Sequence, residues 1–261
     1  MRMFHVLDPT LSNQVSCSLC ALAVMTKAPQ AGRVKTRLVP PLTPEEAAEL
    51  NKCFLRDTAA AISNACIRRP AGDASHSEAT TARASAIAVY TPVGAESAYT
   101  DILPANFSLL PQRGDGFGER LYFATEDLFK CGFESVCLID SDSPTVSAAN
   151  FERAVELLAS PNDRIVLGPS DDGGYYLIGL KQPHREMFEK IDWSTERVLN
   201  QTIQRATAIG LEVKLLPTGY DVDDGESLRR LSDELLSQSA VDTVAPNTRE
   251  FLASLVGQKK L

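Results

Sequence analysis

Histidine and tryptophan are scarce in this chain, with three and one among 261 residues. His5, His76 and His184 stand far apart, none at ligand or triad spacing, which argues against a histidine-based mechanism. No G-x-S-x-G, Walker A or G-x-G-x-x-G pattern occurs, so the commonest hydrolase, NTPase and dinucleotide signatures are missing. No apolar run approaches the roughly 20 residues needed to cross a bilayer. The first nineteen residues carry Asp8, Pro9 and several polar side chains where a signal peptide needs an unbroken apolar core. A cytoplasmic protein is therefore expected. Six scattered cysteines fit a reducing compartment better than a disulfide framework. Cys17 and Cys20 make a C-x-x-C pair, but no second pair at metal spacing and no strand-to-helix redox context accompany it. A formal charge of -8 removes the broad basic surface that nucleic acid or an anionic membrane would require.

What is present is an α/β pattern. Hydrophobic residues make up 44% of the chain, enough for a sizeable core. Strand-like runs at "ALAVM", "AIAVYTPV", "SVCLID", "RIVLG", "YYLIGL" and "EVKLLP" alternate with helical spacing near 118–130, 147–159, 195–209 and 226–238. The best-marked helix opens at Thr43 as N-cap, with Pro44 next and Glu46 closing a capping box. This alternation predicts a largely parallel sheet flanked by helices. Residues 1–19 read as an extension, 20–240 as one domain with a mobile excursion at 68–85, and 241–261 as a loose tail.

In such sheets ligands bind beyond the carboxyl ends of the strands, and four loops there carry unusual chemistry. "TKAPQAGRVKTRL" gathers Lys27, Arg33, Lys35 and Arg37 with no acidic residue among them, against the charge of the whole chain. These cations suit phosphate oxygens, although a solvated basic loop would look the same. In "LIDSDSPTV", Asp140 and Asp142 leave an apolar strand two positions apart, so both carboxylates can face one divalent cation. "PSDDGGYY" is a hairpin turn by composition, yet Gly173 and Gly174 allow close approach of a ligand, and Asp171 or Asp172 could serve as base. "YDVDDGESL" places Asp224 as a helix N-cap and leaves Asp223 free to complete a metal shell. Gln112 and Arg113 in "QRGDGFGERL" suit a base or diphosphate, or an ordinary turn. Trp193 precedes Ser194, read as an N-cap, and is expected to staple onto Val198.

Together, "TKAPQAGRVKTRL", "QRGDGFGERL", "LIDSDSPTV", "GPSDDGGYYLIGL", "DWSTERVL" and "YDVDD" resemble a widespread bacterial family of GT-A-type transferases, first defined as a domain of unknown function and often labelled radical-SAM/selenodomain-associated. The resemblance runs from about residue 20 to about 236. The layout is also similar to small nucleotidyltransferases such as phospholactate and molybdenum-cofactor guanylyltransferases. It implies a nucleotide-diphospho-sugar transferase fold, Rossmann-like and three-layered, with a nucleotide over the sheet's carboxyl edge. By motif it implies phosphate binding at Lys27, Arg33, Lys35 and Arg37, with Gln112, Arg113, Gly173 and Gly174 adding to the nucleotide site. Asp140, Asp142 and Asp223 would hold Mg²⁺ or Mn²⁺, and Asp171 or Asp172 would act in catalysis. The activity so implied is transfer from a nucleotide sugar to an unknown small acceptor. The alternatives are nucleotidyl transfer from an NTP to a phosphorylated acid, and nucleotide sensing without turnover. Many nucleotidyltransferases open on a glycine-rich loop, whereas Gly32 is the single glycine here.

Overall fold

The structure is a computed structural model that describes residues 4–11, 14–15, 19–66, 83–237, 241, 243–258 and 260. Most of the 68–85 excursion, and Cys17 of the C-x-x-C pair, lie outside the described residues.

Eight strands form one sheet: β1 (His5–Val6), β2 (Leu19–Lys27), β3 (Arg83–Thr91), β4 (Ser108–Pro111), β5 (Ser135–Ile139), β6 (Arg164–Pro169), β7 (Tyr175–Leu180) and β8 (Glu212–Leu215). Their order is β1-β4-β3-β2-β5-β7-β6-β8, all parallel except β7, which runs antiparallel to both neighbours. Six helices accompany them: α1 (Pro44–Cys66), α2 (Phe117–Lys130), α3 (Ala148–Leu158), α4 (Val198–Ala208), α5 (Gly225–Leu236) and α6 (Pro246–Gly257). The expected mostly parallel, helix-flanked sheet is what forms.

Strand periodicity explains the layers. Along β2, Cys20, Leu22 and Val24 face one core with α1 and α3, while Ala21 and Ala23 face the other with α2. Being buried on both faces, the strand reads as an unbroken apolar run, as central parallel strands do. Cys20 lies in this core with its sulfur 3.9 Å from that of Cys137 on β5.

Thr43 and Glu46 make the expected reciprocal cap of α1, Thr43 N donating to Glu46 Oε2 at 2.9 Å and Glu46 N to Thr43 Oγ1 at 3.2 Å. Near the carboxyl terminus, α6 buries Leu252 and Leu255 in a third cluster with Leu50 and Phe54 of α1 and Leu231 of α5. Its first turn is held by buried Asp57 of α1, which accepts from Thr248 N (2.8 Å), Thr248 Oγ1 (2.6 Å) and Asn247 N (3.1 Å). At the opposite end of the chain, β1 extends the sheet by pairing with β4.

Candidate active site

From β2 the sheet grows through β3 and β4 on one side and β5, β7 and β6 on the other. The carboxyl ends of β2 and β5 therefore flank a crevice where connections diverge, the usual ligand position in open α/β sheets. Two adjoining cavities open there.

The smaller, about 250 Å³, is lined by Lys27, Arg33, Lys35, Arg37, Asn51, Asp142 and Asp223. The larger, about 420 Å³, is lined on its polar side by Asp140, Asp142, Asp172, Asp221, Asp223 and Arg37. Arg37, Ser141, Asp142 and Asp223 border both. The basic loop and the acidic strand tip thus share one cleft.

A backbone bond brings the distant acidic turn into place. Val222 N donates to Asp142 O at 3.0 Å, and Val222 is fully buried. Its neighbours Asp221 and Asp223 both line the larger cavity. Asp224 next to them caps α5, accepting from Ser227 N at 2.9 Å.

Lys35 is the centre of the arrangement. Its ammonium lies 2.9 Å from Asp142 Oδ1 and 2.8 Å from Asp223 Oδ1, and it donates to Val222 O at 2.7 Å. Only 4% of its side chain is exposed. Burial acts to lower its pKa, but the charges of Asp142 and Asp223 outweigh that and hold it above the ordinary lysine value. The backbone of Lys35 is left-handed at φ 46°, a conformation that costs a non-glycine residue about 1–2 kcal/mol.

Asp140 is the half-buried partner at the strand tip. Burial, then the charge of Asp142, pushes its carboxyl well above the usual range, while Ser143 Oγ donates to it at 2.8 Å. Asp221 is pushed up to about 6 by burial and by the charges of Asp172 and Asp223. So much negative charge on one wall favours the arrival of a cation. Among the described residues, however, no three His, Cys, Asp or Glu side chains are gathered as a metal site. Asp140 and Asp142 fit a hard divalent ion whose shell is completed by phosphate and water. The Lys35 ammonium engages Asp142 and Asp223 alike, so an ion ligated by either would share that carboxylate with the lysine.

The β6–β7 turn supplies the next groups. It is a tight hairpin, Ser170 N donating to Gly174 O at 3.0 Å and Gly174 N to Asp172 Oδ1 at 2.8 Å. Asp172 and Gly174 line the larger cavity. Asp171 turns away and pairs with Arg230 of α5 at 2.5 Å. Gly173 has φ +91°, and a Cβ there would fall 2.2 Å from Glu196 O, so this glycine lets the 193–197 loop pack closely.

Other expected residues lie elsewhere. Gln112 Nε2 donates to Thr26 O (3.1 Å) and Val89 O (2.8 Å), tying β2 to β3. Arg113 pairs with Glu126 and Asp127 of α2 and lies over the Phe123 ring. Neither lines either cavity. Ser194 is not an N-cap: it sits at φ 63°, and α4 begins at Val198 after Arg197. Trp193 packs edge-on against Phe117 with ring centroids 5.1 Å apart, and both line the larger cavity together with Val198. Asp221, Phe117, Ser170 and Thr195 are lining residues that sequence reasoning did not single out. Asp221 was accessible to the two-residue rule used for Asp140 and Asp142, since it stands two before Asp223 in extended chain.

Residues 76–195, a little under half of the chain, match the model of a family described as an uncharacterized protein conserved in bacteria (DUF2064). No curated protein matches. Among solved structures, a protein of Desulfovibrio desulfuricans G20, assigned provisionally as a nucleotide-diphospho-sugar transferase, superposes with a TM-score of 0.76 at 25% identity, covering 93% of this chain and 96% of that one. A nucleotidyl transferase from Methanothermobacter superposes at 0.52 and 14% identity, over 84% and 98% of the two chains. By the architecture it shares with the Desulfovibrio protein, the chain has the nucleotide-diphospho-sugar transferase fold.

Proposed function

We propose that the protein is a metal-dependent transferase that moves a sugar from a nucleoside-diphosphate donor to a small acceptor. The observation that carries this reading is the meeting of two unlike cavities at Arg37, Asp142 and Asp223, which border both: Lys27 and Arg33 line the smaller, Asp140 and Asp172 the larger. The donor's phosphates lie against the basic cavity as charge-assisted contacts, and its sugar projects past Asp142 into the larger one. Asp140 and Asp142 would hold Mg²⁺ or Mn²⁺, which would supply neutralisation of the charge that grows on the departing diphosphate. Arg37, bordering both cavities, adds to that neutralisation.

In the transfer, an acceptor oxygen attacks the anomeric carbon and the bond from that carbon to the β-phosphate oxygen breaks. The electron pair leaves with the nucleoside diphosphate, and the acceptor's proton passes to Asp172, the turn carboxylate that faces the cavity. Asp171, engaged by Arg230, is assigned to the turn's stability instead. Asp223 is assigned to holding Lys35.

Nucleotidyl transfer is the second reading. Its support is the cationic opening loop, whose Lys27, Arg33 and Arg37 line the smaller cavity and suit a triphosphate. It needs an acidic attacking group, and the larger cavity presents Asp172 and Asp221, held by neither Lys35 nor the cation, a poor surround for one.

A thermal-shift screen of UDP, GDP, UDP-glucose, GTP and CTP with and without Mn²⁺ tests the proposal, because a ligand bound only to the folded state raises its stability by mass action. Stabilisation by a diphosphate or its sugar, dependent on metal and lost in Asp142→Ala, is expected. Metal-independent binding, or full binding by Asp142→Ala, overturns the metal assignment. Pyrophosphate release from GTP or CTP with a phosphorylated acid would transfer support to the second reading.

A further inference from the structure

We infer that the acceptor is a neutral or positively charged molecule with an aromatic or similarly flat apolar body, an inference that rests on the transferase reading above. The larger cavity has two unlike halves. Its acidic rim is formed by Asp140, Asp142, Asp172, Asp221 and Asp223, with Arg37 the one cation among its lining residues. Its inner half is apolar: Met25, Leu121, Leu138, Ile178 and Val198 form the floor, and the Phe117–Trp193 pair stands at the side.

Trp193 packs against the core on the α2 side of the sheet, and local backbone features fix the aromatic pair at the cavity. Phe117 is 57% exposed at the start of α2, where a polar residue would cost nothing in core burial. Gly118 beside it makes room for the indole, since a Cβ there would come 2.6 Å from Trp193 Nε1 and 2.6 Å from Phe188 O. Gly173 lets the Glu196 backbone close in, and Ser194 takes a left-handed φ of 63°, uncommon for a residue with a side chain. Strain of this kind persists where surrounding structure over-determines it, often at ligand clamps.

Position assigns this half to the acceptor. The basic cavity lies on the far side of Asp142, and in a nucleotide sugar the phosphates stand between nucleoside and sugar. With phosphates at Lys27, Arg33 and Arg37, the nucleoside falls away from the aromatic pair. The sugar meets the acidic rim, and the acceptor comes last, against Phe117 and Trp193. An acceptor bearing phosphate or carboxylate would meet Asp172 and Asp221, the lining carboxylates held by neither Lys35 nor the proposed cation. An aromatic ring meets an edge-to-face partner, and a cationic one gains from both carboxylates and ring faces.

The chain's single tryptophan is Trp193, so intrinsic fluorescence excited at long wavelength reports on this wall alone. The parent protein is titrated with benzyl alcohol, benzylamine, benzoate, glucose and uridine. Saturable changes are expected with the alcohol and the amine, with benzoate, glucose and uridine binding at least ten-fold more weakly. Phe117→Ala, a change at an exposed position, should weaken benzyl alcohol about ten-fold while its melting temperature stays near the parent's. Benzoate binding as tightly as benzylamine, a preference for glucose or uridine, or no saturable change with any aromatic probe overturns the inference. The nucleotide screen separates the two claims. Nucleotides binding without the aromatic probes sinks this inference alone, whereas aromatic probes binding without any nucleotide sinks the transferase reading and the acceptor role with it.

Discussion

Lys35 and Asp223, 188 positions apart, meet at 2.8 Å, and the same ammonium lies 2.9 Å from Asp142. A lysine thereby stands between two carboxylates that motif reasoning gives to a metal ion. The protein carries its own cation at the acidic tip, and a divalent ion arriving at Asp142 must share that carboxylate with it.

Replacing Lys35 with Met should therefore have two separable effects. Stability falls by about 1–3 kcal/mol, since charged hydrogen bonds are lost and two partly exposed carboxylates lose their partner. Mn²⁺ affinity rises about ten-fold, because Asp142 and Asp223 become free to ligate. Chemical denaturation and isothermal calorimetry measure the two, and unchanged Mn²⁺ affinity would remove the competition.

Asp221 gives a pH test. Its carboxyl is raised to about 6 from an ordinary 3.8, so the folded state favours its protonated form. Stability linked to it is fully present below about pH 4 and is lost as the pH rises through 6. Asp221→Asn, which cannot ionise, should raise Tm by roughly 2–4 °C at pH 7 and leave it unchanged at pH 4. An equal gain at both pH values would show that ionisation of this carboxyl is not the cause.

Gly118→Ala tests the indole seat. An added methyl would overlap both Trp193 Nε1 and the Phe188 carbonyl, each 2.6 Å from the new carbon. A cost of about 1–3 kcal/mol is expected, as for other overpacked sites. Trp193 emission should move to longer wavelength as the ring is displaced towards water. Emission and stability both like the parent's would mean the seat is looser than drawn.

Asp57→Ala tests the seating of α6. Buried Asp57 satisfies the otherwise orphan amides of Asn247 and Thr248 at the start of that helix. Their loss should cost on the order of 3 kcal/mol and raise hydrogen exchange first across 246–257. Exchange spread evenly over the molecule would instead point to global loss of stability.

Local chemistry was readable from the chain where neighbours in sequence decide it. The capping box at Thr43 and Glu46, the apolar run of β5 and the Asp224 cap depend on residues within four positions, and each forms as read. Helix starts were read less well where the cap is atypical. Ser194 has the right side chain for an N-cap, but the packing of Glu196 on Gly173 draws the loop past it and delays α4 to Val198.

The sequence by itself determined the alternation of strand and helix, the acidic strand tip and the cationic opening loop, because periodicity and charge are local properties. Only tertiary structure decided which charges meet. The buried Val222, bonded to Asp142 across 80 positions of chain, brings Asp221 and Asp223 to the mouth of β5, and Lys35 is held between Asp142 and Asp223. Gln112 and Arg113 carried equally suggestive side chains, yet strand carbonyls and α2 carboxylates claimed them. A polar group's role follows from the first well-placed partner the fold offers, since an unpaired buried polar group costs more than a satisfied one contributes.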